Sequence, residues 1–326
     1  MNRKQEPNEK FIVLAGATGY IGRYVFHELM LRGYHVTTLG RSKAQDENAL
    51  YQHIHVDVCD DSAVAALEGD LPKNAAIISC LGSKTGGRRD AWEVEYGANQ
   101  SLLRLSKTVQ AKQFVLLSAI CVQKPRLEFQ FAKRTFEDNL IASGIPYSIV
   151  RPTAYFKSLA GQIDNVKNGK AFLIFDTGER TSCKPISGGD LATYLCDCLD
   201  RPDRNNRVLP IGGPGPAVNS KEQAEILFKL LGKPLKTRKI PSSIFKVINA
   251  CLAPFGIFSE ALSDKREFLR IGHYYATESM LIWDDDINAY DAEQTPEFGT
   301  ESLETFYKDV LESGLQHHEL GTHKLF

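Results

Sequence analysis

Residues 127–137 read LEFQFAKRTFE, and Phe129 precedes Lys133 by four positions. On a helix that interval puts both side chains on one face. A tyrosine at the first position would give a phenol whose proton the ammonium group makes easier to release, the arrangement of an acid in hydride chemistry. Phe129 has the ring without the hydroxyl, so the pair cannot work as an ordinary acid. Further along the chain, Gly16-Ala17-Thr18-Gly19-Tyr20-Ile21-Gly22 places three glycines three apart between the apolar run FIVLA (11–15) and an amphipathic stretch. In that context Gly16 permits a tight turn, Gly19 lets a pyrophosphate approach the backbone, and Gly22 allows close helix packing. The helix N-terminus then favours phosphate. Thr18, Tyr20 and Ile21 belong to the same turn and join it as cofactor-binding candidates.

These residues need a scaffold, and the first half of the chain predicts one. FIVLA (11–15), HVTTL (35–39), HIHVDV (53–58), AAIISCL (75–81), QFVLLS (113–118) and PYSIV (146–150) read as strands. Helical stretches are expected near 20–32, 60–68, 91–109 and 127–143, the last ended by Gly144 and Pro146. Alternation of this kind specifies an α/β protein with a Rossmann-type doubly wound parallel sheet. A helix opened by Ser187 (187–200) and the strand RVLPIGG (207–213) would complete it. A loop–helix and a hairpin are expected within 155–186, and turns and helices from Pro214 to Phe326. The expected division is a dinucleotide-binding domain over 8–160, completed by about 187–213. A smaller, mainly helical substrate-binding or lid region would comprise 161–186 and 214–326.

The second strand ends in Gly40-Arg41-Ser42-Lys43, where a carboxylate would select the ribose hydroxyl of NAD. Arg41 can instead clamp a 2′-phosphate and Ser42 can add a bond, which favours NADPH; the alternative is an ordinary solvated loop at Arg41 and Lys43. Asp57-Val58 and Cys80-Leu81-Gly82 end the third and fourth strands, where they can flank the adenosine or simply be strand exits.

Composition narrows the class. In 326 residues, 39 Lys+Arg balance 40 Asp+Glu for a net charge of −1, without the cationic excess that nucleic-acid binding needs. The seven cysteines form no C-x-x-C or Cys/His grouping, so no metal centre is expected and reduced thiols are. The first ten residues, MNRKQEPNEK, lack an apolar or transit-like leader, which favours a bacterial cytoplasm over a plastid unless a leader has been removed. IFKVINACLAPFGIF (244–258) is the most apolar stretch; it reads as a buried or substrate-facing helix, or alternatively as a membrane-surface helix. Oligomeric state stays open.

The order GATGYIG, DV, CLG, LLS, aromatic-x-x-x-Lys and IVRPT resembles the atypical branch of the short-chain dehydrogenase/reductase superfamily. CLGSKTGGRRDAWEVEYGAN, LLSAICVQKPRLEFQFAK, RPTAYFKSLAGQ and SCKPIS further resemble the NADPH-dependent divinyl chlorophyllide 8-vinyl reductases of chlorophyll and bacteriochlorophyll synthesis. The resemblance spans about residues 11–215 and implies Lys133 at the nicotinamide ribose, Ser118 as its assistant, and Pro152 and Thr153 in the cofactor-binding set; on the residues alone, Lys133 borders the apolar stripe Phe129, Ala132, Phe136 and Leu140 and can instead only snorkel from a core helix. It also implies a tetrapyrrole pigment, divinyl chlorophyllide or protochlorophyllide, as substrate. Ile120, Cys121 and Val122 can line a flat apolar slot for the macrocycle or simply continue the strand. Such a substrate suits a site without the tyrosine, because the conjugated ring spreads the charge that hydride addition creates. A proton must still arrive, from water, Lys133 or a hydroxyl such as Tyr155. The loop 83–89, with its cations, can face a propionate or the cofactor phosphates, or be solvated. His273 in GHYYATE can approach a central magnesium or be structural. Since pigment precursors partition into membranes, peripheral membrane contact is compatible with this reading. Two rivals remain: an isoflavone reductase-like enzyme, and a non-catalytic NADP sensor or assembly protein.

Overall fold

A computed structural model describes residues 10–42, 48–252 and 260–314. The apolar runs pair into strands β1 (Phe11–Ala15), β2 (His35–Gly40), β3 (Tyr51–His55), β4 (Ala76–Ser79), β5 (Phe114–Leu117) and β6 (Tyr147–Pro152). Two short strands, β7 (Phe172–Phe175) and β8 (Ser182–Cys183), lie outside that sheet, and β9 (Arg207–Ile211) completes it. The order is β3-β2-β1-β4-β5-β6-β9, with every pairing parallel. Chain direction across the sheet reverses between β1 and β4, the crevice where wound sheets bind dinucleotides.

Side chains alternate across β1 as its pleat dictates. Ile12 and Leu14 face α1 (Tyr20–Leu31), while Val13 and Ala15 face the opposite layer. Connections on that layer include α2 (Asp61–Ala65), α3 (Arg88–Ala91), α4 (Asn99–Thr108) and α5 (Glu128–Ala142), whose Leu102, Leu105, Phe136 and Leu140 fill the second core. Burying one such side chain fully contributes roughly 1.5–3 kcal/mol. After α6 (Ile163–Lys167), α7 (Gly188–Asp197) joins α1, and the Ser187 hydroxyl caps it by accepting from the Asp190 amide at 2.9 Å. Gly144 follows α5 with φ +80°, a left-handed stop.

The remaining chain builds β10 (Val218–Asn219), α8 (Ser220–Leu230), β11 (Thr237–Ile240), α9 (Ser243–Leu252), α10 (Glu260–Thr277), β12 (Ile282–Asp284), β13 (Ala289–Asp291) and α11 (Leu303–Ser313). Phe156, Ile163, Phe172, Leu227, Phe228 and Tyr307 form a separate apolar core here.

Four local expectations change. β3 begins at Tyr51 and stops at His55, because Asp57 accepts from the Cys59 amide at 3.0 Å and turns the chain before α2. The helix expected over 91–109 is interrupted by a π-helical segment, Trp92–Ala98. The hairpin expected within 155–186 does not form: β7 pairs in parallel with β11, and β8 pairs antiparallel with β10, since both strands find partners far along the chain. The described part of 244–258 is not buried: α9 has no buried residue, and Ile244, Val247 and Ile248 are exposed. Residues 253–258 lie outside the described part.

Candidate active site

The glycine turn is shaped by its own backbone. Gly16 has φ +82°, and a Cβ on it would lie 2.6 Å from the Cys80 carbonyl oxygen; one on Gly22 would lie 2.0 Å from the Gly16 carbonyl oxygen. Both contacts are closer than any real Cβ tolerates, so the spacing GxxxxxG reflects two backbone collisions avoided. The Gly19 amide donates to Gly16 at 3.0 Å, and no side chain caps α1, which leaves first-turn amides for an anion. Thr18 and Gly19 are exposed there. Tyr20 stands edge-on to Tyr24, with its ring centroid 6.2 Å from that of Tyr155. Ile21 instead drops into the core, so only its backbone faces the turn; Val58 likewise packs inward beneath the sheet's opposite layer. Cys80 is buried against the turn, Leu81 is half-buried and Gly82 exposed.

At the end of β2, Arg41 and Ser42 are exposed, and the Arg41 guanidinium is 3.5 Å from Asp57. His53 Nε2 contacts the Ser42 carbonyl at 2.8 Å, holding the strand end in place. Lys43 lies outside the described residues.

Lys133 on α5 points back toward the end of β4, where its Nζ sits 2.7 Å from Glu95 Oε2. Glu95 is 3% exposed, and its other oxygen accepts from the Ser83 amide at 2.8 Å and the Ser83 hydroxyl at 2.9 Å. This partner was missed by sequence reasoning. Its signal was an acid at 95 within the otherwise apolar stripe 91, 98, 102, 105, at helical spacing. The π-helical segment that carries it is a local deviation of a kind often found at functional sites. Tethering by Glu95, and by Asp90 through the Thr85 amide at 2.6 Å, makes 83–89 a pinned loop in which Lys84, Arg88 and Arg89 remain exposed.

Ser118 is buried at the end of β5 and donates to Glu137, which also pairs with Arg151. Its hydroxyl is therefore engaged in the interior, away from the space a substrate would occupy. Thr153 is similarly engaged, donating its hydroxyl to the Lys184 carbonyl.

Beyond the C-terminal ends of β5 and β6 lies a cavity of about 340 Å³, a normal size for a small-molecule site. Ile120, Cys121, Pro152, Thr153 and Tyr155 line it, brought there as two adjacent strand ends. Phe172, Phe175 and Met280 widen an apolar wall, and Tyr275 of α10 also lines the cavity. Tyr275 also lay beyond sequence reasoning, since nothing local links it to Lys133. Burial pushes the Cys80 thiol up to about 12 and the Cys121 thiol up to about 11, so neither is a thiolate at neutral pH. Burial also raises Tyr155, helped by Cys80, Cys121 and Glu95 nearby, and raises Tyr275, helped by Cys121, Tyr274, Tyr155 and Glu95. Both phenols are held in the protonated form. His273 does not reach this cavity: it lines a separate groove with Arg126, Phe245, Lys246 and Arg270. Desolvation, then Lys246 and Arg180, keeps its pKa low. No cluster of metal-binding side chains occurs among the described residues, and no described helix is long and apolar enough to cross a membrane.

An NAD(P)H-binding family profile matches residues 16–202. Among solved structures, an NADPH-dependent quinone oxidoreductase from Escherichia coli, complexed with NADPH, superposes with TM-score 0.65 at 18% identity, covering 92% of this chain and 99% of its own. A UDP-glucuronic acid 4-epimerase from Bacillus cereus gives 0.68 at 16% identity, covering 94% and 99%. These likenesses establish the fold. A photosystem II assembly factor of Trieres chinensis is 25% identical, covering 80% of this chain and 81% of its own. The chloroplastic divinyl chlorophyllide a 8-vinyl-reductase of Cucumis sativus is 44% identical, covering 99% of this chain and 81% of its own, and that of Arabidopsis thaliana is 42% identical, covering 98% and 81%. With identity at that level over 98–99% of its length, the chain belongs to the divinyl chlorophyllide a 8-vinyl-reductase family.

Proposed function

We propose that the protein is an NADPH-dependent oxidoreductase that reduces the 8-vinyl group of divinyl chlorophyllide to ethyl. The observation that carries the reading is 44% identity extending over 99% of the chain, which takes in the cavity-forming C-terminal part as well as the dinucleotide-binding sheet. The 25% likeness to an assembly factor is weaker, and the cavity beside the glycine turn fits an enzyme better than a scaffold.

The turn at Gly16 and Gly22 can close only because neither residue carries a Cβ, and with no side chain capping the first-turn amides of α1, this chain's residues fit the cofactor's phosphates. Gly16, Thr18, Gly19 and the Tyr20 to Gly22 amides would hold the phosphates, Arg41 and Ser42 the 2′-phosphate, and Asp57, Cys80, Leu81 and Gly82 the adenosine side. NADPH, when bound, supplies the hydride. Lys133, fixed by Glu95, would hold the nicotinamide ribose. Ser118 positions rather than reacts, since Glu137 takes its hydroxyl. Ile120, Cys121 and Pro152, which line the cavity, would carry the macrocycle, which exclusion of water and alignment make productive. The protochlorophyllide form would fit the same cavity. The described parts of 161–186 and 214–326 would act as the substrate-binding region, since they contribute to the separate apolar core around Tyr307 and to the cavity wall.

The same reading extends to a membrane-facing edge. Residues 231–252 carry Lys233, Lys236, Arg238, Lys239 and Lys246 and no acid, and Leu235, Ile244, Val247 and Ile248 are exposed among them. β11 pairs with β7, whose Leu173 and Phe175 line the cavity, and Phe245 of α9 packs 5.1 Å from Phe175. This basic, apolar edge would rest on an anionic membrane and receive the lipophilic pigment next to the cavity mouth.

The deciding experiment incubates purified protein with NADPH and divinyl chlorophyllide and follows the small blue shift of the Soret band. Shift with stoichiometric NADPH oxidation is expected. Pigment binding without turnover would instead indicate a sensor, and turnover restricted to small enones a generic reductase.

A further inference from the structure

Phe129 leaves the site without the usual phenol, yet two other phenols border the cavity. Tyr155 stands on the cofactor side, beside Tyr20 and close to Cys80 at the glycine turn. Tyr275 approaches from α10, packed on the same cluster of Ile120, Cys121, Leu127, Ile271 and Tyr274 that Phe129 packs on. α10 is held over this spot: Ile271 occupies the space beside Gly86, where a Cβ would meet its Cδ1 at 2.7 Å, and the Glu128 amide donates to Glu267 at 3.1 Å. Other tyrosines tie their hydroxyls to protein, Tyr290 to Glu278 at 2.7 Å and Tyr307 to the Leu159 carbonyl at 3.0 Å. Tyr275, which lines the cavity, makes no side-chain hydrogen bond among the described residues, as is also true of Tyr155.

Resting on the vinyl-reduction reading, we propose that Tyr275 is the acid of this site, giving its proton to the carbon next to the one that receives hydride and so replacing the hydroxyl absent at Phe129. The step balances simply. Hydride brings two electrons and one hydrogen to the terminal vinyl carbon, and the π pair of the double bond moves onto the inner carbon and into the macrocycle. The Tyr275 O–H bond breaks, its proton forms the second C–H bond at the inner carbon, and the phenolate recovers a proton from water. Burial that holds Tyr275 protonated keeps it in the donor form through the neutral range.

The test uses the full chain with NADPH and divinyl chlorophyllide, comparing wild type, Tyr275→Phe and Tyr155→Phe. For Tyr275→Phe we expect unchanged NADPH affinity, unchanged pigment binding by fluorescence quenching, and turnover lower by about 10²-fold or more, the usual contribution of a general acid. The solvent deuterium isotope effect on kcat should rise, and that of nicotinamide-deuterated NADPH fall, because proton delivery becomes limiting. A purely structural role would leave both isotope effects as they are. Wild-type turnover in Tyr275→Phe, or the same isotope signature appearing in Tyr155→Phe alone, overturns the assignment. If wild type is inert toward the pigment while binding NADPH, the reduction reading fails, and the assignment with it.

Discussion

Lys133 Nζ lies 2.7 Å from Glu95 Oε2, with the two side chains 12% and 3% exposed. A cation and an acid removed from water in this way define each other's position, and the acid in turn pins the loop after β4 through Ser83. Removing one member leaves a buried charge uncompensated, which costs about 3–5 kcal/mol in comparable pairs. Glu95→Gln and Lys133→Ala should each lower stability substantially in urea unfolding, and the double variant should recover part of the loss. Lys133→Ala should also weaken NADPH binding and slow turnover. Strictly additive destabilisation, or unaltered cofactor affinity, would count against this pairing.

The glycine turn makes a sharper claim. Gly22→Ala would place a methyl 2.0 Å from the Gly16 carbonyl oxygen, so the turn must open and NADPH affinity should fall by more than tenfold in a fluorescence titration. Gly69→Ala, outside the cofactor-binding set and with nothing within 4 Å of the added methyl, should bind as wild type does. Equal affinities for both variants would show that the turn does not shape the site.

Arg41 bears on cofactor choice. It is largely exposed and only loosely paired with Asp57 at 3.5 Å, so it is available to a 2′-phosphate. A charge-assisted bond of about 1.5–3 kcal/mol predicts a loss of roughly 10–100-fold in NADPH affinity for Arg41→Ala, with NADH affinity little changed. Parallel losses for both cofactors would remove the assigned role.

The cavity thiols give a pH prediction. Burial moves Cys80 to about 12 and Cys121 to about 11, above the ordinary thiol value of 9.0. A raised pKa means that the folded state holds the proton more tightly than the unfolded chain. This stabilisation is complete below about pH 9 and is lost as pH climbs from there toward the folded values. Stability should therefore decline above pH 9, and iodoacetamide at neutral pH should label exposed Cys251 while sparing both buried thiols, as read by peptide mass spectrometry. Rapid neutral labelling of Cys121 in folded protein would contradict the structure.

The basic, apolar edge predicts vesicle binding. Val247→Glu combined with Ile248→Glu should abolish co-sedimentation with anionic phospholipid vesicles and leave NADPH affinity in solution unaltered, and raised salt should weaken wild-type binding. Sedimentation equal to wild type would exclude this face.

What the sequence by itself determined is local. The turn at Gly16 to Gly22 is legible because a positive φ and two close backbone approaches are met by residues within seven positions. The wound sheet is legible because strands buried on both faces must be continuously apolar. Lys133 is legible because Phe129 and the end of β5 fix its place in the strand order. Tertiary structure decided the rest. Which acid faces Lys133 depended on a π-helical segment that no propensity announces. Ser118 was drawn inward by Glu137, a helix away. β7 found β11 some sixty residues on, undoing an expected hairpin, because the edge of a short strand takes whichever partner the packing presents. Tyr275 reached the cavity only because α10 folds back over α5. Chemistry drawn from 140 residues apart is set by packing, which pairwise spacing along a chain does not encode.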